Sequence, residues 1–165
     1  MTRSSTQAPP NPTADVLDRV IGAPLADAVS PLRSARPAVA EHTQRLHDAF
    51  FGAQSPHREQ LTAIALRVTV LAAQPTLVEH YSALLPPDLV AAVTAGTVDD
   101  PELAALLRHA ELLTLDPAAA TREAIESLRS AGLTEAAIVT ASQLIGYVNY
   151  QIRLVAGYTL IGESV

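Results

Sequence analysis

Arg58 to Leu85 read REQLTAIALRVTVLAAQPTLVEHYSALL. Alanine and leucine dominate the stretch and glycine is absent, a composition that favours helix over strand. The β-branched run Val68-Thr69-Val70 lies inside this helical pattern. Gln74-Pro75 interrupts it, because proline cannot continue a helix interior but fits a first helical position. The stretch predicts two helices, over 56–72 and 75–85, joined by the turn Ala72 to Leu77.

Outward from this pair the chain is punctuated by one repeated signal. Ser30-Pro31, Ser55-Pro56, Asp100-Pro101 and Asp116-Pro117 each set a capping side chain before a proline that loses no needed donor at a helix start. Pro86-Pro87-Asp88 breaks the chain again, and Thr134 after Gly132-Leu133 is a further cap candidate. Between these marks the expected helices run near 14–21, 24–34, 37–52, 56–72, 75–85, 87–95, 101–114, 117–131 and 134–161. In the last, Ile138, Ala141, Ile145, Val148, Ile152 and Val155 recur at three- and four-residue steps, an apolar stripe at helical period. The fold class expected is all-α. Residues 1–13, rich in Ser, Thr and Pro, read as a disordered tail, and 14–165 as a single helical domain.

Composition narrows the function classes. The chain has 165 residues, enough for one sizeable core, and 48% of them are hydrophobic. Its net charge is −6, and its 11 basic residues are all arginine. No basic stripe offers itself to a phosphate backbone, so no nucleic-acid partner is expected. There is no cysteine, which removes disulfides and thiolate metal sites. The apolar stretches are broken by Arg67, or by Asn149, Gln151 and Arg153, so no membrane span is expected. The first residues carry no apolar signal-peptide core, and a cytoplasmic location follows as the expectation.

Two stretches carry a family resemblance: Arg58–Leu85, and Ala118–Gly162 with its block Tyr147-Val148-Asn149-Tyr150-Gln151-Ile152-Arg153. With the helix between them they resemble the carboxymuconolactone decarboxylase and alkylhydroperoxidase D-like superfamily over roughly two thirds of the chain. The resemblance implies a compact all-helical alkylhydroperoxidase D-like subunit that assembles into a trimer or hexamer. In the redox branch of that family a Cys-x-x-Cys pair and a following His sit at the turn between the two helices. Aligning on Leu66-Arg67-Val68 puts the cysteine positions at Gln74 and Leu77 and the His at Tyr81. Aligning on His80 puts the cysteines at Ala73 and Thr76. Neither frame holds a thiol, and peroxide reduction by that branch needs one thiolate to attack and another to resolve. The family's proton-relay Glu maps only near Glu59, two or three residues off register.

The candidate site residues follow from the same pocket. His80, Glu59 and Tyr147 are the catalytic candidates, with His80 as a general base because imidazole titrates near neutral pH. Arg67, Asn149 and Arg153 are the substrate-binding candidates, arginine being suited to bidentate capture of a carboxylate. Each has an alternative reading: Arg67 as a structural ion pair, Tyr147 and Asn149 as buried hydrogen-bonding groups, His80 as a helix-surface or interface histidine. No cofactor is implied. No His-x-x-x-His pair is present and His42 and His47 are five apart, so no metal site is expected. Two functions remain: acid–base chemistry on a small organic acid, or a non-catalytic oligomeric partner of a cysteine-bearing paralogue.

Overall fold

A computed structural model describes residues 15–163, and every regular element among them is helical. The helices are α1 (Val16–Ile21), α2 (Ala23–Ser34), α3 (Pro37–Phe51), α4 (Arg58–Leu71), α5 (Pro75–Ser82), α6 (Pro87–Ala95), α7 (Pro101–Leu115), α8 (Arg122–Ser130) and α9 (Glu135–Gly162). The expected N-terminal tail, 1–13, lies outside the described residues.

Helix α4 is the axis. Leu61, Ala63, Ile64, Ala65, Leu66 and Val68 are buried on all sides of it, the mark of a helix surrounded by others. It packs against α3, α5, α6, α7 and α9. Two threonines in this apolar rod are also buried, and each satisfies its hydroxyl on its own helix: Thr62 donates to Arg58 O at 2.7 Å and Thr69 to Leu66 O at 2.8 Å. Helix α9 supplies the second wall with Ile138, Ala141, Leu144, Ile145, Val148 and Val155. Most of the stripe expected there is buried; Ile152 lies at its edge.

The punctuation holds at two of the four proline sites only in part. Asp100 caps α7, its Oδ1 accepting from Leu103 N at 2.7 Å, and Thr134 caps α9 by accepting from Ala137 N at 3.2 Å. Ser55-Pro56 falls in the turn before α4, which starts two residues later at Arg58. Asp116 is the residue that closes α7, its N–H donating to Leu112 O at 2.9 Å. The following Pro117–Ala119 forms one 3₁₀ turn, and α8 starts at Arg122. Ser30-Pro31 starts nothing: Pro31 sits inside α2. That helix runs on because Val29 is buried and Arg33, two residues past the proline, is held by ion pairs to Asp15 and Asp18 and stacks over the Tyr158 ring. Asp15 itself caps α1 through Leu17 N and Asp18 N. At the other end of the chain Leu25 of α2 lies so close to Gly162 that a Cβ there would come within 2.3 Å of its Cδ1.

Capping contributions of this kind are worth about 0.5–2 kcal/mol. Chemical denaturation is expected to show Asp100→Ala and Thr134→Ala each lowering stability by about 1 kcal/mol. Ser30→Ala, in an exposed helix interior, is expected to stay within about 0.5 kcal/mol of the parent.

Candidate functional site

The turn between α4 and α5 is built tightly. Ala73 adopts a left-handed backbone, φ 50°, at a cost of about 1–2 kcal/mol for a residue with a Cβ. It is held there by Ala73 N–H donating to Val70 O and Gln74 N–H donating to Thr69 O, both at 3.1 Å, the paired bonds that end a helix in this geometry. The Gln74 side chain then caps α5, accepting from Thr76 N at 3.1 Å. Leu77 follows, with no exposed surface, as part of the core. The positions where either alignment frame would place a thiol are therefore a strained turn residue, a helix cap, a first-turn threonine and a core leucine.

Beyond the turn, α5 presents two neighbouring rings, Tyr81 and His80, in edge contact. Tyr81 points inward and is fully buried; its hydroxyl donates to Gln151 Oε1 at 2.5 Å. Gln151 Nε2 donates to Tyr147 Oη at 3.0 Å, and Tyr147 donates in turn to Thr43 O at 3.2 Å. This chain ties α5, α9 and α3 together through the core. Burial pushes both phenols up from their ordinary pKa, with each ring's charge further opposed by the neighbouring tyrosine or carboxylates, so both keep the proton the chain needs. Phe51 packs on Tyr81 and Phe50 on Tyr147, with ring centroids 5.3 and 5.7 Å apart.

His80 is less deeply buried and also lies beside α3. Its ring stands 6.3 Å from that of His47 and 5.0 Å from Tyr81. The Nε2 atoms of both histidines are buried without a hydrogen-bond partner. Burial, then the proximity of His47 and Arg19, lowers the His80 pKa to about 4, and burial also lowers that of His47 against the opposing pull of Asp48. Both imidazoles thus favour the neutral form, with one ring nitrogen protonated and the other not.

The remaining candidates lie elsewhere. Arg67 leaves α4 on the side of α6 and α7. Its Nε donates to Glu111 Oε1 at 2.9 Å, a second nitrogen completes the ion pair, and Nη1 donates to Val93 O at 3.2 Å and Thr94 O at 2.9 Å. Gly96, left-handed at φ 74°, leaves room for it: a Cβ there would approach Arg67 Nη2 to 3.1 Å. Asn149 donates to Ile145 O at 3.0 Å and Thr114 Oγ1 at 3.3 Å. Arg153 is exposed and donates to Asn149 O at 2.9 Å. Glu59 is also exposed; with Glu102, Leu106, Leu133 and Thr134 it lines a surface groove of about 650 Å³ where the starts of α4, α7 and α9 meet. Neither that groove nor a smaller one beside Arg33 is lined by His80.

The structure therefore groups His80 with Tyr147, through Tyr81 and Gln151, and separates both from Arg67, Asn149, Arg153 and Glu59. Sequence reasoning missed His47, Thr43 and Gln151 as members of the neighbourhood. The Gln151 link was readable, because it stands one helical turn after Tyr147. His47 was not, because it comes from a helix remote in sequence. Among the described residues no group of three or more His, Asp or Glu side chains is placed to hold a metal ion, and no helix is long and apolar enough to cross a membrane. No protein-family model matches the chain, and neither does a curated protein or a solved structure.

Two measurements follow. Gln151→Leu strips Tyr81 of its acceptor and Tyr147 of its donor, and denaturation is expected to show a loss of about 1–3 kcal/mol. Tyr81→Phe combined with Gln151→Leu is expected to cost less than the sum of the single changes, since the two groups share one bond. The histidines set a pH dependence. Their folded-state pKa values lie below the ordinary 6.5, so the unfolded chain takes up protons first and stability falls as pH drops from 6.5 toward 4. His80→Gln is expected to flatten that part of a Tm-against-pH curve.

Proposed function

We propose that this chain is a cysteine-free subunit of the alkylhydroperoxidase D-like type whose role is assembly: a homo-oligomer, trimer or hexamer, or a partner to a cysteine-bearing paralogue. The observation that carries this reading is Leu77, completely buried, with Gln74 capping the helix beside it. Where the redox branch would present two thiols, this chain has a filled and hydrogen-bonded turn. No side chain there is a thiol that could attack a peroxide or capture an oxidised sulfur. Arg67, the anion anchor expected from the sequence, spends its donors on Glu111 and two backbone carbonyls.

Surface composition supports assembly. Leu32, Val39 and Leu46 on α2 and α3, and Tyr150, Leu160 and Ile161 on α9, are large apolar side chains left exposed in the single chain, Leu160 by 66%. Such residues mark a surface that another protein covers where they join into one contiguous patch. A second reading, acid–base chemistry on a small organic acid with His80 as base, is favoured by its buried, unpartnered Nε2.

Light scattering coupled to size-exclusion chromatography tests the first reading: a mass of three or six times the 17.4 kDa chain is expected, and Leu160→Asp is expected to shift it downward. A single-chain mass, alone and with the paralogue, would sink the proposal. His80→Ala is expected to leave the mass unchanged; turnover of a carboxylic acid substrate that disappears in His80→Ala would instead establish the second reading.

A further inference from the structure

Helix α3 is held to the molecule by few groups. Of its 15 residues, Thr43, Phe50 and Phe51 are the buried ones. Gln44 adds one bond, its Oε1 accepting from Val16 N–H at 2.7 Å, and Tyr147 donates to Thr43 O at 3.2 Å. The connections on either side are open. Ala35 and Arg36 before the helix are exposed, and none of residues 52–57 after it is buried. The chain leaves α3 at Gly52, where a Cβ would collide with Asp48 O. Elements with so few buried contacts open locally, well below the free energy of global unfolding.

His47 stands in the middle of this thin contact. Its ring packs on Phe51 at 5.2 Å and lies beside His80 of α5 at 6.3 Å. The Nε2 atom of each histidine is buried with no hydrogen-bond partner. For a neutral ring an unmet nitrogen costs about 1–3 kcal/mol. Protonation makes that nitrogen a charged donor, and a buried charge without an acceptor costs more than a buried dipole. The closed contact between α3 and α5 therefore suits two neutral rings and resists two charged ones.

The surrounding charges act in the same direction. Arg19 of α1 opposes a charge on either ring, Arg58 of α4 opposes one on His47, and His47 itself opposes one on His80. Asp48 of α3 favours a charged His47, but its side chain is 62% exposed, so water screens its pull. Asp15 and Asp18 of α1 are engaged by Arg33 of α2. The phenols of Tyr81 on α5 and Tyr147 on α9 keep their protons. Lifting α3 brings His47 into water and takes the cover of His47 off His80, so the open form binds protons that the closed form refuses. Helices α4, α7 and α9 pack on one another without α3. We propose that α3 is an acid-released strap: protonation of His47 and His80 frees it from α1, α4 and α5 and uncovers Tyr81, while α4, α7 and α9 stay folded. The device does not rest on the assembly role.

The test is amide hydrogen exchange of the full chain at pH 7 and pH 5, corrected for the intrinsic pH dependence of exchange and resolved by segment. The parent protein suffices for the main comparison, so no variant has to fold. A histidine held at about 4 when closed and returned to the ordinary 6.5 when open shifts the opening equilibrium about twenty-fold between these pH values. Amides of α3 are therefore expected to open at least about twenty-fold more at pH 5, while those of α4 and α9 keep their protection. The double variant His47→Gln with His80→Gln is expected to lose this pH response in α3. His57→Gln, on the exposed turn before α4, is expected to retain it. Protection of α3 that is equal at the two pH values, loss of protection in α4 and α9 together with α3, or an undiminished response in the double variant would each overturn the proposal.

Discussion

Beyond its first turn helix α4 meets almost no water, and the rest of the molecule is arranged to keep it so. Burying a helix on every side removes its side chains from solvent at about 25 cal/mol per Å² of apolar area, but it also forbids any unpaired polar atom along its length. The two threonines obey by bonding to their own backbone. Arg67, the charge in the middle of the helix, obeys by leaving toward α6 and α7, where a carboxylate and two helix-end carbonyls receive it. Those carbonyls belong to the last turn of α6, where Val93 O also accepts from Gly96 N–H at 3.2 Å, so the arginine helps to end one helix while escaping another.

The same constraint shapes the α4–α5 turn. Here Leu77 and Tyr81 turn that ground into core, and the Tyr81–Gln151–Tyr147 chain fastens it to α9 and α3. A buried network of this sort specifies one packing over others, since each member is satisfied only in that arrangement.

Local rules made the helices legible in the sequence. The α4–α5 pair, the stripe on α9 and the caps at Asp100 and Thr134 depend on neighbours within a turn or two, and they are found where they were expected. Ser30-Pro31 misled because its outcome depends on partners far away: Arg33 reaches Asp15, Asp18 and Tyr158, and those contacts carry α2 through a proline that isolated helices do not tolerate. Site membership is a longer-range matter still. His80 could be singled out by position, but its neighbour His47 lies 33 residues earlier on another helix, and only the packing of α3 across α5 sets them side by side. Arg67 shows the converse. Its charge in an apolar helix was visible, while the identity of its partner, Glu111, required the fold.

Gly162 has one more consequence. By giving up its side chain it lets Leu25 settle against the last turn of α9, and α1 and α2 both pack on that helix. The beginning and the end of the described chain are therefore neighbours, and the fold closes on itself like a clasped ring. Closing a loop of this length costs conformational entropy that grows only slowly with the number of residues. A circularly permuted chain, opened at an exposed loop and joined across this seam, would keep every helix in place.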